Sequence, residues 1–305
     1  MSAQVACPTK IYHKAPYPSI DPTRPELSAK GNVIVITGGG TGIGAETAKY
    51  FARAGAARIV LLGRRSQPLL DTKAVITAET PLTEVLAIPT DITDMTSVEA
   101  AFTEAACNSK VGILISNAAV IGTKAPIISQ TSASLLSGII ANLQGNINIA
   151  TTFLKHAATN PVIIEVNSAA AHLNIAPDFA AYNIAKVATA RFYTSLALEH
   201  PGLAVFSVQP GAIETAMNKS AGYKEKKEGE EWEWKDGGGA ADVLMKYDDV
   251  GLPAGFMVWL ASPQARFLKG KYLWANWDVD ELVARRGEIE GSNFLELGLV
   301  GWPFY

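Results

Sequence analysis

The sequence predicts one doubly wound α/β domain built on a mostly parallel sheet, and three observations carry that expectation. Short apolar, β-branched runs alternate with longer helical stretches from Asn32 to about Ala275. The first run is apolar throughout, as expected for a strand covered on both faces. No internal repeat or second compositional block interrupts the alternation, and strand–helix alternation of this kind gives a parallel sheet with helices on both sides.

The elements follow in order. Residues 1–31 contain Pro8, Pro16, Pro18, Pro22 and Pro25 and read as an extended arm. Val33 to Thr37 is the first strand, and a glycine cluster leads from it into a helix from about Gly42 to Ala54. Strands are expected at Arg58–Leu62, Leu82–Ile88, Val111–Ser116, Val162–Asn167, Leu203–Gln209 and Lys271–Ala275. Helices are expected at Thr96–Ala106, Ser132–Ala157, Ala180–Glu199 and Leu252–Ala261. The domain therefore spans 32–278. Residues 215–247 mix Lys224-Glu225-Lys226-Lys227-Glu228 with Gly237-Gly238-Gly239 and read as a surface insertion serving as a lid. The run from Lys224 to Glu233 suits a solvated face, while Trp232 and Trp234 either line the lid over an apolar substrate or rest on the domain or a partner subunit. Residues 279–305 form a tail whose Trp302, Phe304 and Tyr305 suggest docking.

Composition narrows the partners. The 305 residues are 48% hydrophobic and 18% charged, with a formal net charge of −3, which excludes a disordered chain and gives no basis for binding nucleic acid or an anionic membrane. Cys7 and Cys107 belong to no Cys/His cluster, and His13, His156 and His200 show no ligand spacing, so no metal site is expected. No secretory pattern and no apolar run of about 18 residues appears. A cytoplasmic protein is the default.

Thr37-Gly38-Gly39-Gly40-Thr41-Gly42-Ile43-Gly44 joins the first strand to the first helix. Glycines there permit a tight turn and close approach of a pyrophosphate, and the helix N-terminus offers free N–H groups. Such turns also join strands to helices without a ligand; the strand–turn–helix context favours a nucleotide and a Rossmann-type domain. The pattern G-x-G-x-x-G/A can be forced onto Gly40, Gly42 and Ala45, but Gly38-x-x-x-Gly42-x-Gly44 suits the rest of the chain better. An NAD site usually has an acid about 20 residues on. Here the second strand runs into Gly63-Arg64-Arg65, and no Asp or Glu occurs between Glu46 and Asp71. Arg64 would pair with a 2′-phosphate, which selects NADP(H) over NAD(H). The plainer alternative is two solvated arginines.

Tyr182 and Lys186 are four residues apart in an expected helix and so share one face. A nearby ammonium lowers the pKa of a tyrosine hydroxyl, fitting it to exchange a proton with a carbonyl or alcohol oxygen. By itself the pair is a weak signal. Taken with Thr37-Gly38-x-x-x-Gly42-x-Gly44, Asp91, Asn117-Ala118-Ala119, Asn142, Ser168 and Pro210-Gly211 with Thr215, in that order, the chain resembles the classical short-chain dehydrogenase/reductase family over roughly residues 30–275. The arm from Tyr17-Pro18 to Leu27-Ser28 and the segment Trp274-Ala275-Asn276-Trp277-Asp278 resemble a fungal branch of it, which suggests secondary metabolism.

The resemblance implies a carbonyl reductase or alcohol dehydrogenase acting on a small molecule. Asn142, Ser168, Tyr182 and Lys186 would be catalytic. Ser168 would bond the substrate carbonyl and Tyr182 would be the acid/base. Lys186 would hold the nicotinamide ribose and lower the pKa of Tyr182, and Asn142 would anchor a relay water. Gly38, Thr41, Gly42, Ile43, Gly44, Arg64, Asp91, Ile92, Asn117, Ala118, Tyr182, Lys186, Pro210, Gly211, Ile213 and Thr215 would contact the cofactor. The long helix Ser132–Ala157 resembles an interface helix, implying a homodimer or homotetramer.

Two departures stand out. Ala119 replaces the usual glycine of the Asn-Ala-Gly motif, and Asn167-Ser168-Ala169 replaces the usual Ser-Ser. If the loop before Tyr182 has no inserted residue, Ala169 would fall at the serine position; the following Ala170-Ala171-His172 favours Ser168. His172 either contacts substrate or is structural. A non-redox cyclase or isomerase on this scaffold, and a catalytically silent nucleotide sensor, are the rival functions, since fold alone excludes neither.

Overall fold

The structure, a computed structural model, describes residues 7–173, 177–220 and 247–298. Seven strands form one sheet in the order β3-β2-β1-β4-β5-β6-β7. They are β1 (Val33–Thr37), β2 (Arg58–Gly63), β3 (Glu84–Pro89), β4 (Val111–Ser116), β5 (Ala157–Val166), β6 (Ala204–Gln209) and β7 (Tyr272–Trp274). Every neighbouring pair is parallel, so the sheet is parallel throughout. The order reverses direction between β1 and β4, and an open sheet of this kind has its crevice at the carboxyl ends there.

All five residues of β1 are buried. The helix that follows, α1 (Gly42–Arg53), buries Gly44, Thr47, Ala48, Phe51 and Ala52, the i, i+3, i+4 stripe of a helix with one face on a core. The other helices are α2 (Ser66–Glu79), α3 (Met95–Ala105), α4 (Ser132–His156), α5 (Ala180–Glu199), α6 (Ala216–Ser220), α7 (Gly251–Ala261), α8 (Val279–Ala284) and α9 (Arg286–Ile289). Helices cover both faces, and the core divides into two clusters. One contains Ile34, Ile36, Phe51, Phe206 and Trp259; the other contains Val33, Val35, Phe102, Phe153 and Tyr193.

Helix α2 has no counterpart among the sequence expectations. Its core face is Leu69, Thr72 and Ile76, with a threonine in the middle, while Leu70 and Val75 are exposed; the apolar period is scrambled. Pro68 sits in its first turn, where no N–H is needed. Strand β3 begins at Glu84 rather than at Leu82, whose side chain is in solvent. Strand β5 begins at Ala157, five residues before the expected start, through an irregular segment with Asn160 at φ 54°.

The arm lies along the carboxyl-terminal part of the chain. Tyr12 and Trp277 form an antiparallel bridge. The Lys10 and Ile11 amides donate to the Glu281 carboxylate at 2.7 and 3.0 Å, and Ile20 and Leu27 are buried against α7, itself buried on all sides. Burying side chains of that size contributes about 1.5–3 kcal/mol each. Residues 279–298 form α8, α9 and a loop whose Leu295 carbonyl accepts from the Tyr272 amide. Most of the expected lid, including Trp232, Trp234 and the charged run, lies outside the described residues, as do the last aromatics, Trp302, Phe304 and Tyr305. Among the described residues no helix is long and apolar enough to cross a membrane.

Candidate active site

A cleft of about 870 Å³ runs across the carboxyl ends of the strands. Of the residues expected to be catalytic or to contact the cofactor, all but Gly44 line it. Gly38 and Gly42 adopt φ of 67° and 54°, the left-handed region that glycine enters without strain. Gly44 serves the turn differently: a Cβ there would lie 2.4 Å from the Gly38 oxygen and 2.7 Å from Asn117 Nδ2. It lets α1 close on the turn.

The turn is fastened to β4. The Thr37 hydroxyl accepts from the amides of Asn117 and Ala118, both at 2.9 Å, and Asn117 Nδ2 donates to the Thr37 carbonyl at 2.9 Å. The result is a glycine cradle with the α1 N-terminus open to the cleft. It fits a pyrophosphate, because a Cβ at Gly38 would meet backbone and Asn117 while the turn itself brings no side chain larger than those of Thr41 and Ile43 to the cleft.

At one end of the cleft stand Arg64, Arg65 and Asp91. Asp91 Oδ1 accepts from the Thr93 amide at 2.9 Å and hydroxyl at 2.7 Å. Those two bonds, then Arg64, hold its carboxyl below the usual range. Ile92 rests on Gly145 of α4, where a Cβ would come within 2.6 Å of Ile92 Cδ1, and Asn148 Nδ2 donates to the Ile92 carbonyl at 3.0 Å. Sequence reasoning missed Gly145 and Asn148; polar and small residues on the core face of an otherwise apolar helix were the signal available.

At the other end are Asn142, Ser168, Tyr182 and Lys186. Tyr182 and Lys186 share a face of α5, with Nζ 5.7 Å from the Tyr182 ring centroid. Lys186 is buried, and Nζ donates to the Val166 carbonyl at 2.8 Å; an ammonium has three donors, so two others are available. Asn142 is committed to the loop after β4: Nδ2 donates to the carbonyls of Val120 and Gly138, both at 2.8 Å, and Oδ1 accepts from the Val120 amide at 3.0 Å. Its carbonyl accepts from Asn146 Nδ2 at 2.8 Å.

Ser168 presents a hydroxyl to the cleft, where it also accepts from the Ala170 amide at 3.3 Å. Ala169 lines the cleft too but is 1% exposed and has no polar side chain. Asn167 organises this region. Its Oδ1 accepts from the Ser168 amide at 2.7 Å, and its Nδ2 donates to the Lys186 carbonyl at 3.1 Å and to Glu165 Oε1 at 2.6 Å. Glu165 is buried, and its other oxygen accepts from Ser207 at 2.7 Å. From below, the Tyr272 hydroxyl donates to the Ser168 carbonyl. The sequence had marked Asn167 only as an irregularity. His172 does not line the cleft: its Nε2 accepts from Trp274 Nε1 at 3.1 Å, and burial holds its pKa below the ordinary value. Among the described residues no group of three His, Cys, Asp or Glu side chains is placed to hold a metal.

The arrangement offers a phosphate cradle, a cationic end, and a hydroxyl, a phenol and an ammonium at the far end. The family model for short chain dehydrogenases matches residues 32–226. A short chain dehydrogenase/reductase of Claviceps purpurea is 34% identical over 298 residues, covering 96% of this chain and 94% of its own length. The short chain dehydrogenase/reductase AacuD of Aspergillus aculeatus is 33% identical over 297 residues, covering 96% of each. Among solved structures, a dehydrogenase/reductase from Sinorhizobium meliloti superposes with a TM-score of 0.68 at 25% identity, covering 85% of this chain and 97% of that one. A short chain dehydrogenase from Burkholderia cenocepacia, solved in complex with NADP, gives 0.67 at 22% identity over 81% and 96%, a likeness of fold.

Proposed function

Because the chain belongs to the short-chain dehydrogenase/reductase family, and is therefore an oxidoreductase of that type, we propose that it is an NADP(H)-dependent enzyme interconverting a carbonyl and an alcohol on a small molecule in the cytoplasm. The observation that carries this reading is the continuous cleft joining the Gly38–Gly42 turn and Arg64 to Ser168, Tyr182 and Lys186. Arg64 and Arg65 would hold the 2′-phosphate, the Gly38–Gly42 turn the pyrophosphate, Lys186 the nicotinamide ribose, and Ile213 and Thr215 the carboxamide.

When bound, the nicotinamide supplies or accepts the hydride at the reacting carbon. The chain's own residues do the rest. Ser168 donates to the carbonyl oxygen and orients it. Tyr182 gives its phenolic proton to that oxygen as reduction proceeds and takes it back in the oxidation direction. Lys186 is fixed through Val166 and, at its backbone, through Asn167, so that its ammonium stands beside the Tyr182 ring when the phenol gives up its proton in reduction. Asn142 fixes Val120 beside the reacting centre. Val120, Ile121, Phe179 and Met217 line the same cleft, which supports an uncharged substrate.

We read the enzyme as a homodimer or homotetramer. Leu136 and Ile140 on α4 and Ile184 and Val187 on α5 are each about half exposed, on two helices packed side by side; a shared apolar face of this kind suits a twofold contact. The primary test is consumption of NADPH by the purified protein with a panel of ketones, aldehydes and quinones. Turnover with any of them supports the reading. Binding of NADPH with no turnover across the panel favours the silent nucleotide sensor instead.

A further inference from the structure

Three stretches that lie outside residues 32–226, the span matched by the family model, converge on one turn inside it. The turn is Pro210-Gly211-Ala212-Ile213, which follows β6 and walls the cleft. The Ala212 amide donates to Asp248 Oδ2 at 3.0 Å, and the Asp248 amide donates back to the Ala212 carbonyl at 2.8 Å. Ile213 and Asp248 form a parallel bridge. Asn276 Nδ2 donates to the same Oδ2 at 2.9 Å and to the His13 carbonyl at 2.9 Å, and the His13 amide donates to the Asn276 carbonyl at 2.7 Å. The Asp249 amide donates to the Lys14 carbonyl at 2.8 Å.

Gly211 sits at φ 96°, and a Cβ there would lie 2.6 Å from Asp248 Oδ2. The carboxylate therefore fills the space under the turn, in contact with the one residue that must be glycine. Asp248 is 8% exposed and Asn276 is fully buried. Burial pushes the Asp248 carboxyl up, against the two N–H donors that favour its charged form. A buried carboxylate of this kind is costly unless its partners are fixed, and here every partner belongs to the turn, the arm or the segment after β7.

We propose that Asp248 is a positioning residue for the cofactor: it holds the Gly211–Ile213 turn in the shape that receives the nicotinamide end, and Asn276 ties that shape to the arm at His13. The proposal rests on the nicotinamide-cofactor reading above. Asp248 itself touches no cofactor atom; it acts through the turn. The arm and the segment after β7 are then part of the binding apparatus, although neither lines the cleft at His13 or Asn276.

The test is a fluorescence titration of the full chain with NADPH, run below the melting temperature of each variant, alongside thermal denaturation. Asp248→Ala should raise the NADPH Kd about 10- to 100-fold, as losing a charge-assisted hydrogen bond and freeing a turn would. Asp248→Asn keeps an oxygen for the Ala212 and Asn276 donors and should stay within about threefold of wild type. A merely structural role would lower the melting temperature and leave Kd unchanged in the folded protein. If Asp248→Ala does not fold, Asp248→Glu, which pushes the carboxylate out of register, is read in the same titration and should also lose at least about tenfold. Wild-type affinity in the folded Ala or Glu variant overturns the proposal, as does an Asn variant as weak as the Ala variant. A wild-type protein that binds neither NADPH nor NADH overturns the cofactor reading itself, and does so before any variant is measured.

Discussion

Tyr272 and Ser168 lie 104 residues apart and are joined by one bond, the Tyr272 hydroxyl donating to the Ser168 carbonyl oxygen at 2.5 Å. Burial holds that phenol well above its ordinary pKa, so it remains a donor at any working pH. Tyr272→Phe keeps the ring and leaves the Ser168 carbonyl with the Ala171 amide as its donor. It should cost about 0.5–1.5 kcal/mol in urea denaturation and lower kcat more than it raises KM, because the serine loop loosens while the cleft stays. Equal stability of the two proteins would show that the bond does not hold the loop.

Tyr182→Phe should lower kcat at least about 100-fold, the usual contribution of a positioned acid/base group. NADPH affinity should be almost intact, since the ring and Lys186 remain. A variant retaining more than about a tenth of wild-type kcat contradicts the proton-transfer role.

Arg64 lines the end of the cleft where Asp91, bonded to Thr93, also stands. Arg64→Ala should weaken NADPH roughly 10- to 150-fold, the equivalent of a lost charge-assisted hydrogen bond, and leave NADH nearly unchanged. Arg65 lines the same end, so the lower figure applies where it shares the contact. Equal weakening of both cofactors, measured by titration, removes the selectivity role.

His172 must be unprotonated at Nε2 to accept from Trp274, and its folded pKa is depressed by burial. The unfolded chain therefore binds the proton more readily. The stability carried by the neutral ring is complete above about pH 6.5 and is lost as pH falls through the depressed folded value. His172→Gln should flatten the loss of urea stability between about pH 7 and pH 5. An unchanged slope assigns that loss to other groups.

Ile140→Lys with Val187→Lys places two charges on the exposed stripe of α4 and α5. The double variant should be monomeric by light scattering where wild type is dimeric or tetrameric. A wild-type monomer at micromolar concentration removes the oligomer reading.

Much of this was legible in the sequence where a residue's neighbours along the chain determine what it does. The first strand and turn were readable because five consecutive β-branched residues and a glycine spacing specify backbone conformation locally. The Tyr182–Lys186 pair was readable because a helix puts residues four apart on one face. Helix α2 was not, since its stripe passes through Thr72 and leaves Leu70 and Val75 in solvent. The bonding roles of Asn167, Asp248, Asn276 and Tyr272 were not legible for a different reason. Each acts by bonding a side chain to backbone far away in sequence, and such bonds leave no period to detect. The glycine spacing also marked Gly44, where the Gly38 carbonyl and Asn117 leave no room for a Cβ.

Strand β1 lies between β2 and β4, and this placement sets the order in which a newly made chain can become competent. The Thr37–Asn117 bonds that fasten the glycine turn to the middle of the sheet span 80 residues, so, although Gly39 and Gly40 also bond Leu62 and Thr72, the turn is not fully fastened until β4 has docked. Closing loops of that length before any contact rewards them is what slows folding in parallel sheets. A fragment ending before Asn117 should therefore hold a nucleotide poorly even though it contains the whole glycine motif.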